Sequence, residues 1–227
     1  MPLAARVLAR ILRRIGAREL VFSATGLREG HLYNIMDSSQ QRADPLLAAC
    51  AEEARARPRF GEDADALLAW STPLFPKDPP RWLRLRRAAA LLGDIAWHDH
   101  PDYRAEQALR HALYMPVGGL DHVERAYLAA ILSARYGGNA MPETVPPLRL
   151  LDDDAREQAR ATGLALRLAY TLTGGVPGLL DGSALKVNDS KLVLTLLSDH
   201  ALLAGDSVQR RLDALAKALG KNAERKD

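Results

Sequence analysis

The 227-residue sequence holds a single cysteine, Cys50. A disulfide framework is excluded, and no zinc site built from several thiolates can form. Set within "LLAACAEEA", Cys50 reads as a small core residue rather than a nucleophile. Aromatics make up 5% of the chain, and the remainder is rich in Ala, Leu and Arg, which favours a mainly helical protein. No apolar run approaches the roughly 20 residues that a spanning helix needs. The opening "MPLAARVLARILRRIGAREL" sets Leu3, Val7, Leu8, Ile11, Leu12 and Ile15 at helical spacing, with arginines throughout. A signal peptide carries its charge ahead of one apolar block, so that reading is rejected and a reducing cytoplasm is the expected compartment. Gly-x-Ser-x-Gly, His-Glu-x-x-His and a dinucleotide fingerprint are all missing. Excess charge of one sign is small as well. Lys and Arg number 31 against 28 Asp and Glu, a balance of +3 that does not by itself indicate a nucleic-acid binder.

What is present supports a sizeable core, since 48% of the residues are hydrophobic. The spacing predicts a helix over 3–15, stopped by Gly16. "ELVFSA", residues 19–24, reads as a short buried strand, and "TGLREGHLYNIM" as a turn into a helix. One isolated strand cannot form a sheet, so it pairs far along the chain or its sheet lies elsewhere. From Asp44 the patterning is almost continuously helical. "DPLLAACAEEARAR" opens with an Asp cap and Pro at the first helical position. "GEDADALLAWSTPLF", "DPPRWLRLRRAAALLGDIAW" and "DYRAEQALRHALY" give three more helices, the last capped by Asp102. "DHVERAYLAAILSARYGG" carries the capping box Asp121–Glu124, and "DDDAREQARATGLALRLAYTLTGG" gathers acids where the helix dipole favours them. "SALKVNDSKLVLTL" predicts a hairpin around Asn188-Asp189, residues 206–219 a closing helix, and "KNAERKD" a frayed tail.

Three constellations can carry chemistry. "GLREG" places Gly26, Arg28 and Gly30 between a strand and a helix. Free N–H groups at a helix start suit an anion, and Arg28 can add a charge-assisted bond, although glycines also simply punctuate turns. "LLGDIAWHDHPDYRAEQALRH" crowds Asp94, His98, Asp99, His100, Asp102 and His111 into one span. Converging His and Asp side chains can hold a metal that lowers the pKa of bound water. His98 and His100 are two apart, however, and do not share a helix face, and "HDHPD" reads as a polar turn. "KDPPRWLRLRR" sets Arg81, Arg84 and Arg87 at intervals of three, a track for a polyanion or a solvated face whose arginines meet nearby acids. Trp82 and Trp97 read as packing residues.

Taken with "VFSATGLREGHLYNIM", "GLDHVERAYLAAILSARYGG" and the closing "SVQRRLDALAKALG", these segments resemble the C-terminal half of the exopolyphosphatase / guanosine pentaphosphate phosphohydrolase family. The resemblance covers almost the whole chain in the same order. It implies a mainly α-helical, HD-like domain with a small β-hairpin over residues 41–227. Ahead of it, residues 1–40 would be the end of an actin-like (ribonuclease-H-like) domain, a short α/β remnant. Full-length members hydrolyse the terminal phosphate of inorganic polyphosphate or of guanosine pentaphosphate with Mg²⁺. The resemblance places the catalytic carboxylate and phosphate loops in an N-terminal actin-like half, and no Asp-x-Gly-Ser or Gly-Gly-Gly-Ser loop occurs in this sequence.

It also implies that Gly93 stands where relatives with an intact metal motif have a histidine, and Glu106 near a second. Asp94, His98 and His100 are then a degenerate remnant, and no metal is expected in this chain. Phosphate-chain binding through Gly26, Arg28, Gly30, Arg81, Arg84 and Arg87 is the implied role. The implied partners are the actin-like half and a second copy in a homodimer, with no membrane and no specific nucleic acid. Two other classes remain open at this point. One is a standalone metal-dependent phosphohydrolase using Asp94, His98 and His100. The other is a non-catalytic polyanion-binding or interaction module.

Overall fold

The computed structural model describes residues 2–20, 26–57, 59, 63–176, 178–197 and 205–226. Two compact units divide the chain, Met1–Ala43 and Asp44–Asp227. The fold class is mainly helical with a small sheet.

The first unit contains α1 (Pro2–Ile15), α2 (Leu27–Ile35) and α3 (Ser38–Arg42). Leu3, Val7, Ile11 and Ile15 recur every fourth position along α1, and all four are exposed. Asp37 caps α3 by accepting from the Ser39 and Gln40 N–H groups at 2.8 and 2.9 Å. Of the strand expected at 19–24, Glu19 and Leu20 are not in a strand, and residues 21–24 lie outside the described residues.

The second unit begins where the cap signal is strongest. The Asp44 carboxylate accepts from Leu46 and Leu47 N–H, and Pro45 opens α4 (Pro45–Ala56). Next come α5 (Ala64–Ser71), α6 (Pro80–Leu91), α7 (Arg104–Tyr114), α8 (His122–Arg135) and α9 (Asp153–Thr173). The α8 capping box forms as its sequence predicts. Glu124 N–H donates to Asp121 at 2.7 Å, and Asp121 N–H donates to the Glu124 carboxylate at 3.0 Å. Close packing joins α8 to α9 because Gly163 has no side chain. A Cβ there would press on the Ile131 carbonyl and stand 2.6 Å from the Ala134 methyl. Cys50 is buried in the core, and burial pushes its thiol up to about 12, which suits packing and not nucleophilic chemistry.

Among the described residues the sheet has three strands, β1 (Ser183–Val187), β2 (Lys191–Leu196) and β3 (Asn222–Lys226). The expected hairpin is there, with Leu185 opposite Leu194 in antiparallel register. The expected frayed tail is not. After α10 (Asp206–Ala218) and a turn at Gly220 with φ +65°, residues 222–226 pair in parallel with β2, Leu192 opposite Ala223. This strand lacks an apolar signature because its main-chain bonds do the pairing. Glu224 adds an ion pair to Lys191 at 2.7 Å. Two further boundaries differ from expectation. The helix over "DPPRWLRLRRAAALLGDIAW" ends at Leu91, and residues 92–98 run as turns that still bury Ile95 and Ala96. Asp102 caps nothing: Tyr103 occupies the N-cap of α7.

Candidate functional site

The turn after α6 sets Gly93 and Asp94 inside the domain. Asp94 is 4% exposed. Arg135, the last residue of α8, donates to one of its carboxylate oxygens at 3.1 Å, and Arg59 stands 3.8 Å from the other. Burial raises the Asp94 pKa, and the Arg135 and Arg59 charges oppose that rise. Beside it, the Tyr170 ring of α9 fills the space a residue-93 side chain would need. An added Cβ would meet the Tyr170 hydroxyl and come within 2.8 Å of Cε2. Tyr136 closes the same corner. Its hydroxyl donates to the Gly93 carbonyl at 3.0 Å and accepts from Ala96 N–H at 3.1 Å.

Sequence reasoning grouped His98 and His100 with Asp94, and the structure does not bring them together. Both histidines are exposed on the turn, and His100 faces Asp102 at 3.8 Å. His111 is half-buried against Glu53, and burial lowers its pKa. Among the described residues, no three His, Cys, Asp or Glu side chains converge as a metal requires. Asp94, held by guanidinium groups, does not fit a metal ligand. Arg59 and Arg135 were missed at the sequence level. Arg135 lies 41 residues from Asp94, and no spacing rule links them.

The sequence model of the family described as "Exopolyphosphatase, C-terminal" matches residues 46–225. The chain belongs to that family. No curated protein matches the chain.

In this exopolyphosphatase C-terminal domain, the basic stripe of α6 meets carboxylates from three other segments. Arg81 pairs with Asp121 at 2.5 Å and with Glu124 at 3.3 Å. Arg84 binds Asp44 through two nitrogens, donates to the Gly119 carbonyl at 2.7 Å and stands 3.7 Å from Glu124. The bond from Arg84 holds the Asp44 carboxyl below its ordinary value. Arg87 meets the exposed Asp65 at 3.0 Å. Arg86, between them, is buried against Asp78 at 2.9 Å. Trp82 and Trp97 are both half-buried, and Trp82 packs on the core and stacks on Tyr127 at 4.2 Å, as a packing residue should.

The glycine turn lies in the other unit. Gly26 caps α2, and its N–H donates at 2.6 Å to Glu29, so one donor for an outside anion is taken by the chain's own carboxylate. That bond lowers the Glu29 pKa. Gly26, Arg28 and Gly30 are all exposed.

Proposed function

We propose that this chain is the C-terminal portion of an exopolyphosphatase-family phosphohydrolase. The parent activity removes the terminal phosphate of inorganic polyphosphate or of guanosine pentaphosphate. This portion binds the phosphate chain and makes subunit contacts, and it does not itself hydrolyse. The reading is carried by the Asp94 centre. A carboxylate engaged by Arg135 and Arg59, beside a position closed by Tyr170, is set up to bind cations of its own chain and not a metal. The phosphate loops and their Mg²⁺ then belong to an actin-like half, of which residues 1–40 are the end.

Within that scheme Arg81 and Arg87, the two more exposed arginines of α6, are outer contacts for a polyanion. Arg84 holds their helix in place, and Gly26, Arg28 and Gly30 present an exposed turn to phosphate. The apolar row of α1 is covered by the actin-like half, and a homodimer in the cytoplasm is the assembled form. No helix among the described residues is long and apolar enough to cross a membrane.

The purified chain tests this directly. Phosphate release from polyphosphate with Mg²⁺ is expected to stay at background. Polyphosphate binding is expected to weaken with salt and on Arg81→Glu with Arg87→Glu. Robust turnover, or a stoichiometric transition metal after purification, would return the chemistry to this chain.

A further inference from the structure

Next to the Asp94 centre the structure holds a cavity of about 330 Å³. Four arginines line it and, among the described residues, no acidic one does. They come from four places in the chain. Arg59 follows α4, Arg104 opens α7, Arg135 ends α8 and Arg167 lies within α9. Such convergence is not a solvated helix face, because long-range packing alone brings these residues together.

Two of them, Arg104 and Arg167, meet no carboxylate in a hydrogen bond or ion pair among the described residues. Arg135 donates to Asp94 at 3.1 Å, and Arg59 stands 3.8 Å from it. Among the described residues Arg104 donates to main-chain carbonyls, those of Trp97 at 2.8 Å and Asp99 at 2.9 Å. Arg167 makes no side-chain hydrogen bond or ion pair among the described residues, and its guanidinium lies against Gly137. Burial lowers the Arg167 pKa, and the neighbouring Arg211 and Arg135 charges lower it further. The buried Nε of Arg135 also has no hydrogen-bond partner among the described residues.

Aromatic rings lie against three of the four guanidinium groups. Arg59 lies 3.4 Å and Arg104 4.8 Å from the Trp97 ring centre, and Arg135 lies 3.8 Å from that of Tyr170. Face stacking fixes a guanidinium while leaving its edge N–H groups available to an oxyanion. Phosphate answers the surplus best, with more than one charge and several acceptor oxygens for forked donors.

We infer that this cavity is a phosphate-binding site. A phosphoryl group sits among Arg59, Arg104, Arg135 and Arg167, and Trp97 and Tyr170 hold the guanidiniums ready for it. The inference rests on the proposed function for its ligand class and goes beyond it in assigning the pocket. The phosphate is either an end of an inorganic chain or part of a nucleotide.

Titration calorimetry of the 227-residue chain with pyrophosphate at low salt is the test. One saturable site is expected. Arg167→Gln and Arg104→Gln should each weaken it about tenfold, the loss of one charge-assisted bond. Arg110→Gln, which removes an equal charge from an exposed site on α7, should leave it unchanged. Arg167 has no side-chain bond among the described residues to lose, so its variant should fold, and thermal melting verifies that. Tripolyphosphate and guanosine triphosphate separate the two sources. Whichever binds more tightly names the source, and loss in Arg167→Gln upholds the site for either. No saturable binding, or equal weakening in Arg110→Gln, overturns the pocket. If long polyphosphate still binds and Arg167→Gln does not weaken it, the pocket inference falls and the family reading survives. If pyrophosphate binding depends on Arg167 but long polyphosphate does not bind, the reverse holds.

Discussion

Replacing Gly93 with Ala drives a methyl group into the Tyr170 ring. The Cβ would lie 2.8 Å from Cε2 and 2.9 Å from Cζ, where carbon atoms ordinarily rest about 3.5–4.0 Å apart. The ring has little room to retreat. It is 7% exposed, and the Arg135 guanidinium lies against it at 3.8 Å. Overpacking of this kind costs about 1–3 kcal/mol. For a domain of this size each kcal/mol lowers Tm by about 2–4 °C. In urea the expected signature is a lower midpoint with an unchanged slope. Tyr170→Ala alone forfeits a buried ring, about 3–5 kcal/mol, but it opens the space the methyl needs. The double variant should therefore cost less than the sum of the singles, by about the whole Gly93→Ala penalty. If the two costs add to within about 0.5 kcal/mol, the clash is not the reason residue 93 is glycine.

Three further outcomes follow from the same geometry. Asp78→Ala strands the buried Arg86 charge and should cost about 3–5 kcal/mol in urea unfolding. Asp78→Leu with Arg86→Met should cost less than that single change. The Asp44 carboxyl is held below its ordinary 3.8, so the unfolded chain takes up its proton first. The stability it contributes is present above that value and is lost as pH falls through the lowered folded value. Asp44→Asn should flatten this acid limb of the unfolding midpoint, and an unaltered limb would count against the Arg84 bond. Truncation after Lys221 removes β3, and the amides of β2 should then exchange with deuterium faster than in the full chain. Unchanged protection would mean that the parallel pairing contributes nothing.

Local signals were legible. Asp44 before Pro45, Asp121 with Glu124, and Asn188-Asp189 between two apolar runs each act within a few residues, and each element forms where they stand. Other features depend on partners far along the chain. "NAERK" alternates no apolar residues, so only the return of the chain beside β2 makes it a strand. Residues 92–97 bury Ile95 and Ala96 as a helix would, which hid the end of α6 at Leu91. The arginines of α6 were visible as a stripe, but Asp44, Asp65 and Asp121 arrive from 22 to 40 residues away. The Asp94 centre was least legible. Gly93 was noticed as a missing histidine, yet Tyr170 and Arg135 reach it only through the packing of α8 on α9.

A tether under tension loads its first fixed point. For the Asp44–Asp227 unit that point is Asp44 itself, gripped by two nitrogens of Arg84. Arg84 in turn is bonded to the Gly119 carbonyl ahead of α8 and stands 3.7 Å from Glu124 within it. A pull on the chain ahead of residue 44 is therefore carried across to α6 and the approach to α8. It does not peel α4 away turn by turn. The guanidinium works as a mechanical anchor at the boundary, and force spectroscopy would register it as the first rupture of the unit.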